Sequence, residues 1–267
     1  MNPPVSIAVH GASGRMGQAI LRLALERPQV RVVAAIVKSG AAEERQPLRA
    51  QFGQSARDVV YSASLDSATA PDVLIDFSSA SAFDDALAAA VSRKVAFVSG
   101  TTGLSPDQHT SIQRAGTTIP VLWSANFSIG VAVLTRLARE AARALRTWDC
   151  EIAEAHHRDK KDAPSGTALA LGRAVADARG EDFEKVARFD RTATTGSRDS
   201  SSIGFAVVRG GDIVGEHSVI FAGDGERIEL THRAPDRDVF ARGALDAAVW
   251  LAGRAPATYA LSDILER

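Results

Sequence analysis

A chain of 267 residues, 45% hydrophobic and 24% charged, has ample material for one large folded domain or two modest ones. Its formal net charge of −1 gives no electrostatic reason to expect nucleic acid or an anionic membrane as partner. Cys150 is the only cysteine, which excludes an intramolecular disulfide and fits a reducing cytoplasm.

Met1-Asn2-Pro3-Pro4 leads directly into a strand-like run, without the basic and apolar regions of an export signal. No segment reaches the roughly 20 continuous apolar residues of a membrane helix, so a soluble cytoplasmic protein is expected. Val5 to Val9 reads as a buried strand, Gly11 to Gly17 as a turn, and Met16 to Arg27 as an amphipathic helix. Val30 to Val37 is a second β-branched run, completing a βαβ unit. Strand, helix and strand follow at Val73 to Phe77, Ala80 to Ser92 and Val95 to Val98. A helix at Pro106 to Arg114 and a strand at Ile119 to Trp123 complete the series. This alternation predicts an α/β domain with a doubly wound parallel sheet over residues 1–127.

The pattern then changes. Gly130 to Leu145 reads as a long helix, Cys150 to Ala155 as a strand, and Thr167 to Ala178 as a helix. From Ile203 the chain is strand-rich, with Asp224-Gly225 as a hairpin turn, and Asp236 to Gly253 returns to helix. These features predict a second, α+β domain over residues 128–238, with the last helix, about 239–267, returning to the first. Arg191 to Ser202 is polar and reads as a mobile loop.

Gly11-Ala12-Ser13-Gly14-Arg15-Met16-Gly17 follows a strand and opens a helix, the context in which glycines let a backbone approach a pyrophosphate. The spacing is G-x-x-G-x-x-G, which a plain βα turn would also satisfy; the surrounding βαβ pattern favours a nucleotide. Where NAD-binding folds usually carry an acid after the second strand, this chain has Ile36-Val37-Lys38-Ser39. Lys38, Ser39 and Arg15 would attract a 2′-phosphate, so NADPH is expected over NADH. Asp76-Phe77-Ser78-Ser79 and Gly100-Thr101-Thr102-Gly103 also end strands, and their hydroxyls are candidates to face ribose and nicotinamide.

The run Glu154-Ala155-His156-His157-Arg158-Asp159-Lys160-Lys161-Asp162-Ala163-Pro164-Ser165-Gly166-Thr167 combines two imidazoles, several cations and a helix start. A histidine exchanges protons near neutral pH, a lysine supplies charge or a proton, and helix N–H groups receive a carboxylate. A solvated charged loop is the plain alternative. A metal centre is not expected, because no paired-cysteine or H-E-x-x-H pattern stands nearby. Ser165 lacks the G-x-S-x-G context of a nucleophile.

Taken together, GASGRMG (11–17), DFSS (76–79), SGTTG (99–103), ANFSIG (125–130), EAHHRDKKDAPSGTA (154–168) and IGFAVVRGGDIVGEH (203–217) resemble the dihydrodipicolinate reductase family of lysine and diaminopimelate synthesis. The motifs occur in the family's order and cover nearly the whole chain. The resemblance implies a Rossmann-like first domain and a second domain with an open mixed sheet that builds a homotetramer. It implies NAD(P)H-dependent reduction of 4-hydroxy-tetrahydrodipicolinate, by hydride transfer with loss of water. The matching positions put nucleotide contacts at Gly11, Ala12, Ser13, Gly14, Arg15, Met16, Lys38, Gly100, Thr101, Thr102, Ser124, Ala125, Asn126 and Phe127. They put the acid/base histidine at His156, the catalytic lysine at Lys160, and substrate contacts at His157, Gly166 and Thr167. Many members have an acid where Val37 stands and use either cofactor; its absence here favours NADPH, with NADH as second donor.

Two rivals compete. The first is another NADP-dependent reductase on a two-domain plan, such as a homoserine- or semialdehyde-type dehydrogenase; the semialdehyde class needs a catalytic cysteine, and Cys150 stands in no nucleophile context. A non-catalytic NADP-binding sensor has no use for His156 and Lys160 together.

Overall fold

A computed structural model describes residues 3–56, 59–65, 70–192 and 196–266. The chain forms two units, one of Met1–Ser128 with Asp238–Arg267, the other of Ile129–Arg237. In the first unit the elements run β1 (Val5–His10), α1 (Arg15–Leu25), β2 (Val30–Ile36), α2 (Arg49–Phe52), β3 (Tyr61–Ser62) and β4 (Val73–Asp76). They continue through α3 (Ala80–Arg93), β5 (Ala96–Ser99), α4 (Pro106–Gly116) and β6 (Pro120–Trp123). Strands covered on both faces read as unbroken apolar runs: Ile7, Ala8 and Val9 are wholly buried, as are Val73 and Ile75. Helix α1 turns Gly17, Ile20, Leu21 and Ala24 inward at helical spacing. Helix α4 opens with a reciprocal Ser105–Gln108 capping box and Pro106 in its first turn.

The second unit contains α5 (Ile129–Ala144), β7 (Asp149–His156), α6 (Gly166–Arg179), α7 (Phe183–Val186), β8 (Ala187–Arg188), β9 (Ile203–Arg209), β10 (Gly215–Gly223) and β11 (Glu226–Ala234). Helix α8 (Asp238–Leu251) and strand β12 (Ala257–Tyr259) then rejoin the first unit. There α8 packs against α1 and the sheet, and β12 pairs parallel with β6.

The first sheet is parallel in the order β12-β6-β5-β4-β1-β2-β3. Strand order reverses between β1 and β4, which creates a crevice at their carboxyl ends. The second sheet is mixed, in the order β11-β10-β7-β9-β8. Leu134 and Ala138 of α5 and Leu171 and Val175 of α6 pack on Ile152, Val219 and Phe221, covering one face. Burial alternates along β7, so Cys150, Ile152, Glu154 and His156 all point to that covered face. The other face exposes side chains such as Val208, and there Ser218 and Thr231 share a hydroxyl hydrogen bond. Among the described residues no helix is long and apolar enough to cross a membrane.

The expected mobile loop at Arg191 to Ser202 includes residues 193–195, which lie outside the described residues. Part of its remainder is tied down. Arg198 donates to Asp149, to Glu151 and to the carbonyls of Cys150 and Ser202.

Candidate functional site

The first cluster lies at the strand ends of the first unit. Gly11 has φ +77°, and a Cβ there would fall 2.5 Å from the Phe77 carbonyl oxygen. Gly17 is needed for closeness rather than conformation: a Cβ would stand 2.2 Å from the Gly11 carbonyl. The turn is closed by Gly14 N–H on the Gly11 carbonyl (3.0 Å) and Ala12 N–H on the Ile36 carbonyl (2.9 Å). Ala12 is buried, while Ser13, Gly14 and Arg15 are exposed and Met16 is partly so. Helix α1 begins with no side-chain cap and no acid in its first turn, whereas α4 and α6 each have a serine cap. Uncapped first-turn amides without a competing carboxylate fit a nucleotide's pyrophosphate. Lys38 and Ser39 follow β2 in the open, next to the buried Val37.

Under this turn lies Asp76, fully buried at the end of β4. It accepts from His10 Nδ1 (2.8 Å), Ser78 Oγ (2.6 Å), Ser99 Oγ (2.9 Å) and Thr101 Oγ1 (2.7 Å). Burial alone would raise its carboxyl; the bonds from His10, Ser78 and Thr101 outweigh that and hold it below the usual range. One carboxylate thus ties together the ends of β1, β4 and β5. The hydroxyls of Ser78 and Thr101, expected to face ribose and nicotinamide, instead turn inward to Asp76. The reason is that a buried anion must collect donors. Thr101 also accepts from Trp123 Nε1 through its carbonyl, at 2.9 Å. Thr102 remains exposed, and Gly100 lies against the Phe77 ring, where a Cβ would clash at 2.2 Å. Phe77 in turn packs on Phe127, with ring centroids 5.3 Å apart. The loop from Ser124 to Phe127 is folded on itself: Ser124 Oγ donates to the Asn126 carbonyl, and Ser128 N–H to Asn126 Oδ1. Ala125 is its exposed tip.

The second cluster lies within the second unit, where β7 ends. His156 is its last residue, 7% exposed, with Nδ1 hydrogen-bonded to Glu154 Oε2. Glu154 is 3% exposed and also accepts from Arg209 through both oxygens, at 3.1 and 2.8 Å, and from Ser165 N–H at 3.1 Å. Burial works to raise the Glu154 carboxyl, but these donors prevail and keep it lowered. Burial lowers the His156 pKa, with help from the charges of Lys160 and Arg209 and against Glu154, so the ring is neutral at pH 7. His217 of β10 stands edge-on to it, centroids 5.1 Å apart, and burial pushes its pKa down to about 4. Ser165 Oγ is hydrogen-bonded to His217 Nε2 at 3.1 Å and caps α6 by accepting from Ala168 N–H.

Lys160 donates to both oxygens of Asp162, at 2.8 and 3.0 Å, and the pair is partly exposed. That ammonium is the main reason the Asp162 carboxyl is lowered, and the Gly166 N–H at the start of α6 adds to it. Asp162 therefore shows that a carboxylate can be held by Lys160 together with the α6 N-terminus. Gly166 is exposed, with nothing within 4 Å of where a Cβ would be, and Thr167 follows it half-buried. His157 lies 3.5 Å from Arg237 Nη2. The second unit thus brings His156, Lys160, His157, Gly166 and Thr167 into one loop-and-helix region.

Three members of this region are not singled out by sequence reasoning: Glu154, Arg209 and His217. Glu154 has a local signal, since it precedes His156 by two on a strand and shares its face. Arg209 and His217 have none beyond lying in the 203–217 motif; pairing of His156 with Arg209 and of Glu154 with His217 brings them in. Glu154, His156 and His217 offer ligand atoms within 4.8 Å of one another. They make a poor cation site, because both Glu154 oxygens already carry the Arg209 guanidinium.

Two family models cover the chain: "Dihydrodipicolinate reductase, N-terminus" matches residues 5–127, and "Dihydrodipicolinate reductase, C-terminus" matches residues 130–265. Among curated relatives, 4-hydroxy-tetrahydrodipicolinate reductase of Stenotrophomonas maltophilia (strain K279a) is 47% identical over 98% of both chains. The enzyme of that name from Zymomonas mobilis is 46% identical over 98% of this chain and 97% of its own. Among solved structures, a dipicolinate-bound dihydrodipicolinate reductase from Paenisporosarcina sp. TG-14 shares the fold with a TM-score of 0.79. It is 21% identical, over 98% of this chain and 99% of its own.

Proposed function

The chain belongs to the dihydrodipicolinate reductase family and reduces 4-hydroxy-tetrahydrodipicolinate with a nicotinamide nucleotide; we propose that its first unit prefers NADPH and that His156 and Lys160 of the second move the proton. The reaction belongs to lysine and diaminopimelate synthesis. The observation that supports the site reading most is the meeting of a neutral, buried His156 with Lys160 and an accessible helix start at Gly166.

The substrate is a six-membered nitrogen ring with two carboxylates. Gly166 and Thr167 N–H groups at the head of α6 receive one of them, with His157 adding a hydrogen bond. A substrate carboxylate arriving there takes over the donors that Asp162 now uses. When bound, the reduced nicotinamide supplies a hydride to a ring carbon conjugated with the C=N bond, and water is lost from the substrate. Electron density then gathers toward the ring nitrogen. Lys160 is proposed to deliver the neutralising proton, with His156 as its acid/base partner and polariser.

Gly11, Ser13, Gly14, Arg15 and Met16 are proposed to hold the pyrophosphate end, with Gly100, Thr102 and the Ser124–Phe127 loop toward the nicotinamide. Lys38 carries the cofactor preference. It is exposed, and Val37 beside it is a buried aliphatic residue, 2% exposed, not an acid that would bind ribose hydroxyls and repel a 2′-phosphate. NADPH is expected to exceed NADH in kcat/KM by about tenfold, equivalent to ~1.4 kcal/mol. Lys38→Glu should reverse that order. Initial rates of nucleotide oxidation with freshly generated substrate check both. Equal rates in the parent chain would sink the cofactor reading, and an unchanged ratio in the variant would remove Lys38 from it.

We further propose a cytoplasmic homotetramer assembled through the uncovered face of the second sheet. That face mixes Ala153, Ala155, Val208 and Ile220 with Ser218 and Thr231, a half-apolar surface of the kind that pairs with a copy of itself. Light scattering is expected to give the mass of four chains, and Val208→Lys to lower it. A monomer at assay concentration would contradict this.

A further inference from the structure

We infer that Glu154 is a positioning residue that makes His156 a one-sided acid/base, with Nδ1 held on the carboxylate and Nε2 the nitrogen that exchanges the proton. Arg209 makes this arrangement workable by cancelling the carboxylate's charge. The inference rests on the proposal that His156 takes part in proton transfer.

The tautomer follows from donor counting. An ionised carboxylate only accepts, and Glu154 is kept ionised by Arg209 and Ser165 N–H. Neutral His156 must therefore carry its hydrogen on Nδ1, which leaves Nε2 with a lone pair. The surroundings agree. A Cβ on Gly215 would stand 3.1 Å from Nε2, so β10 makes room at that nitrogen by having no side chain there.

Charge decides the rest. Four titratable or charged groups face the ring: Glu154 on its own strand, Lys160 in the following loop, Arg209 at the end of β9, and His217 on β10. His217 is neutral at pH 7. An unopposed Glu154 would hold His156 as imidazolium, with a proton too firmly bound to give up. Arg209 spans both Glu154 oxygens and also donates to the Asp162 carbonyl at 2.7 Å, which locks it in the fork. Glu154 can then orient the ring without charging it.

The test is the ¹⁵N NMR spectrum of the labelled enzyme, with the His156 signals identified by their loss in His156→Asn. The wild-type ring is expected to show protonated Nδ1 and unprotonated Nε2 above its titration. In Glu154→Gln the amide oxygen goes to Arg209 and the NH₂ group to the ring, so Nδ1 becomes an acceptor and the tautomer flips. The His156 titration should move to lower pH, and kcat should fall about 10²-fold with KM for the dicarboxylate changed less than about threefold. Arg209→Gln should move the titration to higher pH. Opposed shifts are not produced by loosened packing, and Arg209→Gln retains the test if Glu154→Gln does not fold. A wild-type ring protonated on Nε2, or shifts in one direction for both variants, would overturn the inference. A fully active His156→Asn enzyme would instead remove the proton-transfer reading, and the tautomer would still be read separately.

Discussion

His156→Asn and Lys160→Met are each expected to lower kcat by about 10²–10⁴-fold while the protein stays folded, the usual range for one lost acid/base group. The two substitutions start from different environments. His156 is 7% exposed and its Nδ1 is committed to Glu154, so the replacement must keep a donor there; the Asn NH₂ group supplies one. Lys160 is only partly buried and paired with the exposed Asp162, a contact whose loss costs roughly 0–1 kcal/mol. Activity loss in Lys160→Met therefore cannot be blamed on unfolding, which a thermal melt on the same sample will verify. The double variant adds information. If the two side chains serve one proton as a unit, it should be no slower than the worse single variant; if they contribute independently to the same transition state, the losses multiply. Should both single variants remain within about threefold of the parent, the proton-transfer site lies elsewhere.

The parts of the molecule legible in sequence are those whose causes are local. Gly11 to Gly17 declares a tight βα turn because the contacts of Gly14 and Gly17 are made with Gly11 and Ala12, within a few residues, although the closeness of Gly11 to Phe77 is long-range. Asp224-Gly225 declares the β10–β11 hairpin for the same reason, and the turn has Gly225 at φ +83°. Strand β12 is different: three residues after a proline become a sheet edge only through parallel pairing with β6, more than 130 positions earlier. The candidate site divides the same way. His156, Lys160 and Gly166 announce themselves as chemistry-bearing types in one short run. Arg209 and His217 join them only through the register of β7 with β9 and β10, which no window of sequence contains. Thr101 shows a tertiary effect of another kind. Its position after a strand suggests a ligand contact, yet Asp76 draws the hydroxyl inward.

Acid is expected to destabilise the second unit by about 3 kcal/mol through His217 alone, between roughly pH 6.5 and pH 4. This side chain is 5% exposed, and its folded pKa is pushed to about 4 by burial first and by the His156 charge second. In the unfolded chain it titrates near 6.5. Between those values the unfolded state binds the additional proton, so stability rises with pH across the window and falls as pH is lowered through it. Below about pH 4 both states are protonated and this contribution is flat. His156 and His232 are also lowered and act in the same direction, while the lowered carboxylates Glu154 and Asp76 cost stability only in more acidic solution. A single wild-type curve therefore mixes several groups, and the difference from a variant isolates one. His217→Gln keeps a partner for Ser165 and carries no titrating proton. Urea unfolding at intervals from pH 7 to pH 4 should give a wild-type curve that falls about 3 kcal/mol further than that of His217→Gln. Parallel curves would mean that His217 keeps its proton on folding. The ring beside His156 would then be a cation, a third positive neighbour that adds to burial, Lys160 and Arg209 in keeping His156 neutral.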